Sequence, residues 1–277
     1  MPQSRTSRLT RLTRGCRLVM KLLEGLFLIG AVLPHLRSAD RDMIIQRWCL
    51  ETLDILAIRL KLRGETPPGR VSSVLFVANH VSWVDILVIN TCRRVRFVAR
   101  AEVRQYPLLG WMAARTGTLF VTRTSPRDVA RVAKGVSASL RRGHCVALLR
   151  EGTTNDDTSR QAFHSELLAS AIEAEALVWP LAITYKRPDG SRDADNVVAG
   201  NQSLLSSIMN VLARPATQVQ LSFSAPVESS TSNCRELTVW CQRAIERSLV
   251  SHPQLSIPGQ SPVKFPPDEY VPPLTAA

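Results

Sequence analysis

The chain has 277 residues, of which 45% are hydrophobic, 21% charged and 5% aromatic, and its formal net charge is +12. Such usage is that of a globular protein, so a wholly disordered chain and a protein of many membrane spans are both excluded. A surplus of 35 Lys and Arg over 23 Asp and Glu calls for an anionic partner, and the few aromatic rings argue that it is not nucleic acid.

The surplus is concentrated at the start. Residues 1–21 hold Arg5, Arg8, Arg11, Arg14, Arg17 and Lys21 and no acidic residue. Leu9, Leu12, Cys16, Val19, Leu23, Leu26, Gly30 and Leu33 alternate spacings of three and four, the period of an amphipathic helix. From Gly25 to Pro34 the chain is apolar on every side. We read residues 1–36 as a basic, monotopic membrane anchor, with its apolar side in the acyl boundary and its arginines on anionic headgroups. A single span over residues 18–36, which has to tolerate Lys21 and Glu24 within the roughly 20 apolar residues a span needs, and a soluble core helix with a charged tail are the alternatives. A secretory signal fits less well, because Pro34-His35-Leu36-Arg37 is a poor cleavage site.

A helix follows over residues 40–56, then a strand over 58–62 with one polar face. A loop at 65–69 leads to a short apolar run, 71–78, of the type buried on both faces of a sheet. Next come a helix (83–90), a strand (95–99), a helix near 108–115 and a strand (119–122). Ser125-Pro126 opens a helix with a cap and a first-turn proline, and Gly143 closes it. A strand at 145–149, a polar loop at 153–160, a helix near 166–173 and a strand at 177–185 follow. A loop at 187–195, a helix (202–212), a strand (219–223) and a helix (234–249) complete the pattern. Strands alternating with helices predict an α/β domain over residues 37–250, a mostly parallel sheet with flanking helices. Residues 251–277 form a tail that carries seven of the 17 prolines. The six cysteines make no C-x-x-C pair and none has metal-ligand spacing, so they read as reduced thiols in a cytosol-facing protein, with no metal. No dinucleotide or P-loop pattern is present, and no Gly-x-Ser-x-Gly elbow.

Chemistry in such sheets gathers beyond the carboxyl ends of the strands. Asn79-His80-Val81-Ser82-Trp83-Val84-Asp85 lies where the 71–78 strand gives way to a helix. A histidine takes a proton from a hydroxyl near neutral pH, and a carboxylate that orients it also stabilises the imidazolium. Five residues of turn and helix start bring Asp85 back beneath His80, which makes a His–Asp pair with an external hydroxyl as the attacker. The same residue types also serve as a capping Asn, a strand-end His and a first-turn Asp, and this segment alone does not separate the two readings. Two further strand ends add to it. Gly117-Thr118-Leu119-Phe120-Val121-Thr122-Arg123 ends on an arginine suited to a phosphate. Glu151-Gly152-Thr153 follows the 145–149 strand and offers backbone amides and a hydroxyl beside it.

Together these segments resemble the glycerolipid acyltransferases, which include the bacterial 1-acylglycerol-3-phosphate acyltransferases and their lyso-ornithine lipid relatives. Asn79-His80 with Asp85 is similar to their N-H-x-x-x-x-D block and Gly117–Arg123 to the second block. Glu151-Gly152-Thr153 resembles the third, usually F-P-E-G-T, and Val178-Trp179-Pro180-Leu181-Ala182-Ile183 the fourth. The resemblance covers about residues 40–225. It implies that His80 is the general base on the acceptor hydroxyl and Asp85 its orienting carboxylate. By the same resemblance Asn79, Arg123, Glu151, Gly152 and Thr153 belong to the substrate-binding set, with Pro180 shaping the acyl site. It implies an acyl thioester of CoA or acyl carrier protein as co-substrate, with no other cofactor, and a lysophospholipid acceptor. 1-Acylglycerol-3-phosphate is the acceptor expected first, giving phosphatidic acid, and a lyso-ornithine lipid second. A catalytically idle lipid-binding protein of the same fold is the rival of another class. The expected location is the cytoplasmic face of the inner membrane, on an anionic surface. In place of the usual Phe-Pro before Glu-Gly-Thr this chain has Leu149-Arg150, which removes a proline and brings a charge near the proposed phosphate.

Overall fold

The computed structural model describes residues 6–68, 71–122, 124–151, 158–187, 204–231 and 233–250, with the backbone alone at 151, 158–164 and 231. Helix α1 spans Arg8–Phe27 and helix α2 Ser38–Ile55, followed by β1 Ile58–Arg63, β2 Val74–His80, α3 Val84–Cys92 and β3 Arg96–Arg100. A 3-10 turn at Ala101–Gln105 leads to α4 Leu109–Arg115, β4 Leu119–Val121, α5 Pro126–Arg141, β5 Val146–Glu151 and α6 Thr158–Glu173. The chain continues with β6 Leu177–Lys186, α7 Leu204–Leu212, β7 Thr217–Phe223, β8 Val227–Glu228 and α8 Cys234–Val250.

The strands form one sheet in the order β1-β7-β6-β2-β5-β3-β4, with β8 beside β6. Strands β6, β2, β5, β3 and β4 are parallel; β7 is antiparallel to β6 and carries β1 with it. The expected α/β class with a mostly parallel sheet and flanking helices is the fold found. Alternation along β2 explains its run of apolar residues. Phe76 and Ala78 join Trp179, Ile183, Leu53 and Val88 on the side of α2 and α3. Leu75 and Val77 join Val146, Leu148, Leu167 and Cys241 on the side of α5, α6 and α8. A strand covered on both faces has no polar face to show in its sequence.

Pro180 lies inside β6 rather than at its end. It stands opposite Val77 of β2, between the stretch of β6 that pairs with β8 and the stretch that pairs with β7. Its carbonyl accepts from the Ser224 amide at 3.1 Å. A residue's N–H and C=O leave a strand on the same side, so the missing proline N–H faces this interval and removes no β2 rung. Pro180, the residue expected to shape the acyl site, is buried three positions short of the strand level of His80.

The N-terminal region departs from one continuous amphipathic helix. Helix α1 stops at Phe27, and a π turn at Leu28–Val32 and a 3-10 turn at Leu33–His35 complete the segment. Pro34 lacks the N–H that the next helical bond needs, so the helix ends there. The helix docks through Arg14, Leu18, Lys21 and Gly25. Arg14 donates to the carbonyls of Arg214 at 2.7 Å and Pro215 at 3.2 Å, and the Thr6 amide to Ala213 at 3.0 Å. Lys21, only 7% exposed, sits between Glu24 and Glu51, and its own carbonyl accepts from the Trp48 indole at 3.0 Å. Burial pulls this ammonium down, but the two carboxylates outweigh it and hold Lys21 above its ordinary value. A Cβ at Gly25 would lie 2.9 Å from the Trp48 ring, so glycine lets α1 and α2 approach. Leu9, at 71% exposure, and Leu12, Val19, Met20, Leu23 and Phe27 are left facing outward. Among the described residues no helix is long and apolar enough to cross a membrane.

Candidate active site

Strands β2, β5, β6, β3 and β4 run the same way and end at one edge of the sheet. His80 is the last residue of β2, and the chain then turns through Val81–Trp83 into α3. Asp85, in the first turn of α3, is completely buried. Its Oδ2 accepts from the Val81 amide at 2.7 Å and the Ser82 amide at 2.9 Å, and lies 2.9 Å from Nδ1 of His80. Its Oδ1 accepts from the Tyr185 hydroxyl, on β6, at 2.7 Å. Four donors and the positive end of a helix surround one carboxylate, which offsets the cost of burying a charge. With the Nδ1 proton directed at Asp85, Nε2 is the basic nitrogen of His80. The ring is 30% exposed at the sheet edge, open to a substrate. Burial, then the Asp85 charge and hydrogen bond, push the Tyr185 phenol well above its ordinary value, so it stays a donor.

The structure therefore brings His80 and Asp85 together. Asn79, read from the sequence as substrate-binding, bonds to β6. Its amide nitrogen donates to the Ile183 carbonyl at 2.9 Å and its oxygen accepts from the Ile183 amide at 2.8 Å. Backbone pairing of β2 with β6 ends at Ala78–Leu181, so this side chain supplies the next rung and leaves its neighbour at the edge. Glu151 stands beside His80 in the β2–β5 register, with only its backbone described. Arg123, Gly152 and Thr153 lie outside the described residues. The described neighbours Thr122 and Ser125 are bonded to the start of α5 and to each other. The Thr122 amide donates to Asp128 at 2.6 Å, the Ser125 amide to the Thr122 carbonyl at 3.0 Å, and the Ser125 hydroxyl caps α5, as Ser125-Pro126 predicts.

Leu149-Arg150 reads differently in three dimensions. Leu149 packs into the core on the side of α2 and α3. Arg150 lies on the α8 side, where its charge partly counters the burial that pushes the Cys241 thiol up to about 12. Its charge is thus on the face of the sheet opposite the His80–Asp85 pair, not beside it. Tyr185 is the site residue that sequence reasoning missed. The one signal was a tyrosine near the carboxyl end of an apolar strand, on the same side as Leu181 and Ile183. Among the described residues no group of three or more His, Cys, Asp or Glu is placed to hold a metal ion.

A family model described as Acyltransferase matches residues 59–184. The chain is 34% identical over 249 residues to a lyso-ornithine lipid O-acyltransferase of Pseudomonas aeruginosa, covering 88% of this chain and 95% of that protein. It is 31% identical over 237 residues to a 1-acyl-sn-glycerol-3-phosphate acyltransferase of Neisseria meningitidis, covering 85% and 91%. Among solved structures it is similar to the 1-acyl-sn-glycerophosphate acyltransferase PlsC of Thermotoga maritima, with a TM-score of 0.58 over 85% of this chain and 96% of that one. At 17% identity that likeness is one of fold.

Proposed function

The chain belongs to the glycerolipid acyltransferase family, that of bacterial lysophosphatidate and lyso-ornithine lipid acyltransferases, and from that premise we propose that it moves a fatty acyl group from an acyl thioester to the hydroxyl of a lysolipid. The observation that carries this reading is the 2.9 Å bond from His80 Nδ1 to the buried carboxylate of Asp85, with the ring 30% exposed. Nε2 takes the proton of the acceptor hydroxyl as its oxygen attacks the thioester carbonyl carbon. Asp85 stabilises the imidazolium formed. The tetrahedral intermediate collapses, the C–S bond breaks, and the imidazolium returns the proton to the thiolate. The acceptor is 1-acylglycerol-3-phosphate, acylated at its sn-2 hydroxyl to phosphatidic acid. The 34% identity to a lyso-ornithine lipid enzyme favours a second acceptor. The test is acyl transfer from labelled acyl-CoA and acyl carrier protein to a panel of lysolipids. We expect a kcat/KM for 1-acylglycerol-3-phosphate at least tenfold that for lyso-ornithine lipid. The reverse order assigns the second acceptor, and no transfer to any lysolipid leaves a lipid-binding protein that has lost the reaction.

Under the same proposal the outward face of α1 rests on an anionic membrane surface. Leu12 and Val19 are exposed, as are Arg8 and Arg17 on the same helix. Burying an apolar side chain contributes roughly 1.5–3 kcal/mol. Leu12→Asp with Val19→Asp should therefore reduce flotation with anionic vesicles at least about tenfold and leave the melting temperature unchanged. High salt should weaken binding of the native protein, because headgroup attraction is screened. Equal flotation of both proteins would place the contact elsewhere.

A further inference from the structure

We infer that Tyr185 is a positioning residue for the reaction: its hydroxyl, donated to Asp85 Oδ1 at 2.7 Å, fixes the carboxylate with Oδ2 toward His80 and takes up part of its charge, and so sets the basicity of the histidine. This rests on the reading of His80 as the base. The two oxygens of Asp85 are unequally served. Oδ2 receives two backbone amides and the ring nitrogen, whereas Oδ1 receives the phenol. Both groups are buried, Asp85 completely and Tyr185 at 5% exposure, so water is not at hand to replace the bond. The contact joins residues 100 positions apart, from the first turn of α3 to the far end of β6. It thereby ties the orientation of the carboxylate to the frame of the sheet.

Few charges compete with this arrangement. His80 faces Asp85 from β2, and Glu151 stands beside His80 on β5 in register. On β6 the next residue, Lys186, turns to Gln220 of β7 at 2.8 Å. The phenol itself is acted on by Asp85 and by the Ser82 hydroxyl, and is held protonated.

A donor to the carboxylate spreads its negative charge and lowers its pull on the imidazolium. Removing that donor should make His80 more basic. The experiment is Tyr185→Phe in the full chain, which keeps the ring packing, with the pH dependence of kcat/KM as the readout. Turnover should fall roughly threefold to tenfold with the KM of both substrates nearly unchanged, and the acid limb should move up by about half to one pH unit. A second variant, 3-fluorotyrosine at position 185, leaves the fold intact, is a stronger donor, and should move the limb down. On an Asp85→Asn background Tyr185→Phe should cost little, because the effect passes through Asp85. Superimposable pH profiles for the native and both Tyr185 proteins, or an equal loss on the Asp85→Asn background, would overturn the inference and leave the acyl-transfer reading in place. A native protein inert toward every lysolipid would overturn both.

Discussion

His80→Ala should lower acyl-transfer turnover by the roughly 10²–10⁴-fold that a general base contributes. The substitution removes the nitrogen that accepts the acceptor's proton and touches little else. The ring is part-exposed at the sheet edge, and Nδ1 is bonded to Asp85. Asp85 keeps its two backbone amides and Tyr185, so the buried charge is not orphaned. Circular dichroism and the melting temperature should therefore match the native protein, and the KM for the thioester should hold. Turnover within about tenfold of native would remove His80 from the role.

Asp85→Asn should be the next most costly change to the site, for a reason the surrounding bonds specify. The Val81 and Ser82 amides point at one oxygen, so the asparagine must place its own oxygen there, facing the His80 Nδ1 proton. Its amide nitrogen then meets the Tyr185 hydroxyl, which accepts as well as it donates. The fold and the tautomer survive, and what is lost is the negative charge beside the imidazolium. A hydrogen bond to a charged group contributes about 1.5–3 kcal/mol, which corresponds to roughly a 10- to 100-fold loss in turnover. Because the pair acts as a unit, His80→Ala with Asp85→Asn should lose little beyond His80→Ala alone. Measured turnover of the four proteins in this cycle tests it, and additive losses would show that the two residues act separately.

The spacing of His80 and Asp85 was legible because both belong to one turn, where five residues determine the geometry. Asn79 and Tyr185 were not, because their partners lie 104 and 100 residues away and depend on the register of β2 against β6. Local pattern located β6 and its apolar character, but an apolar run does not announce which neighbour it will pair with. The same limit hid the reversal of β7 and the place of β1 beside it. The place of Pro180 between the β8-paired and β7-paired stretches of β6 depends on the same register. In α1 the three-four spacing picks out Leu9, Leu12, Cys16, Val19 and Leu23, which are exposed. Their direction depended on Arg14 and Lys21, whose polar contacts hold the opposite side of the helix against the rest of the chain.

The acceptors of Arg14 are 200 and 201 residues further along the chain. At roughly 5–20 residues per second, a ribosome needs about 10–40 s to make that stretch. The partners of Lys21 and Trp48 are within 30 residues of one another, so the α1–α2 hairpin has its own contacts almost at once. Strand β1 has a shorter but comparable wait for β7, its partner from Ile58 opposite Thr217 onward. In a growing polypeptide the hairpin, with its apolar face bare, is thus available to a surface before the domain it serves exists.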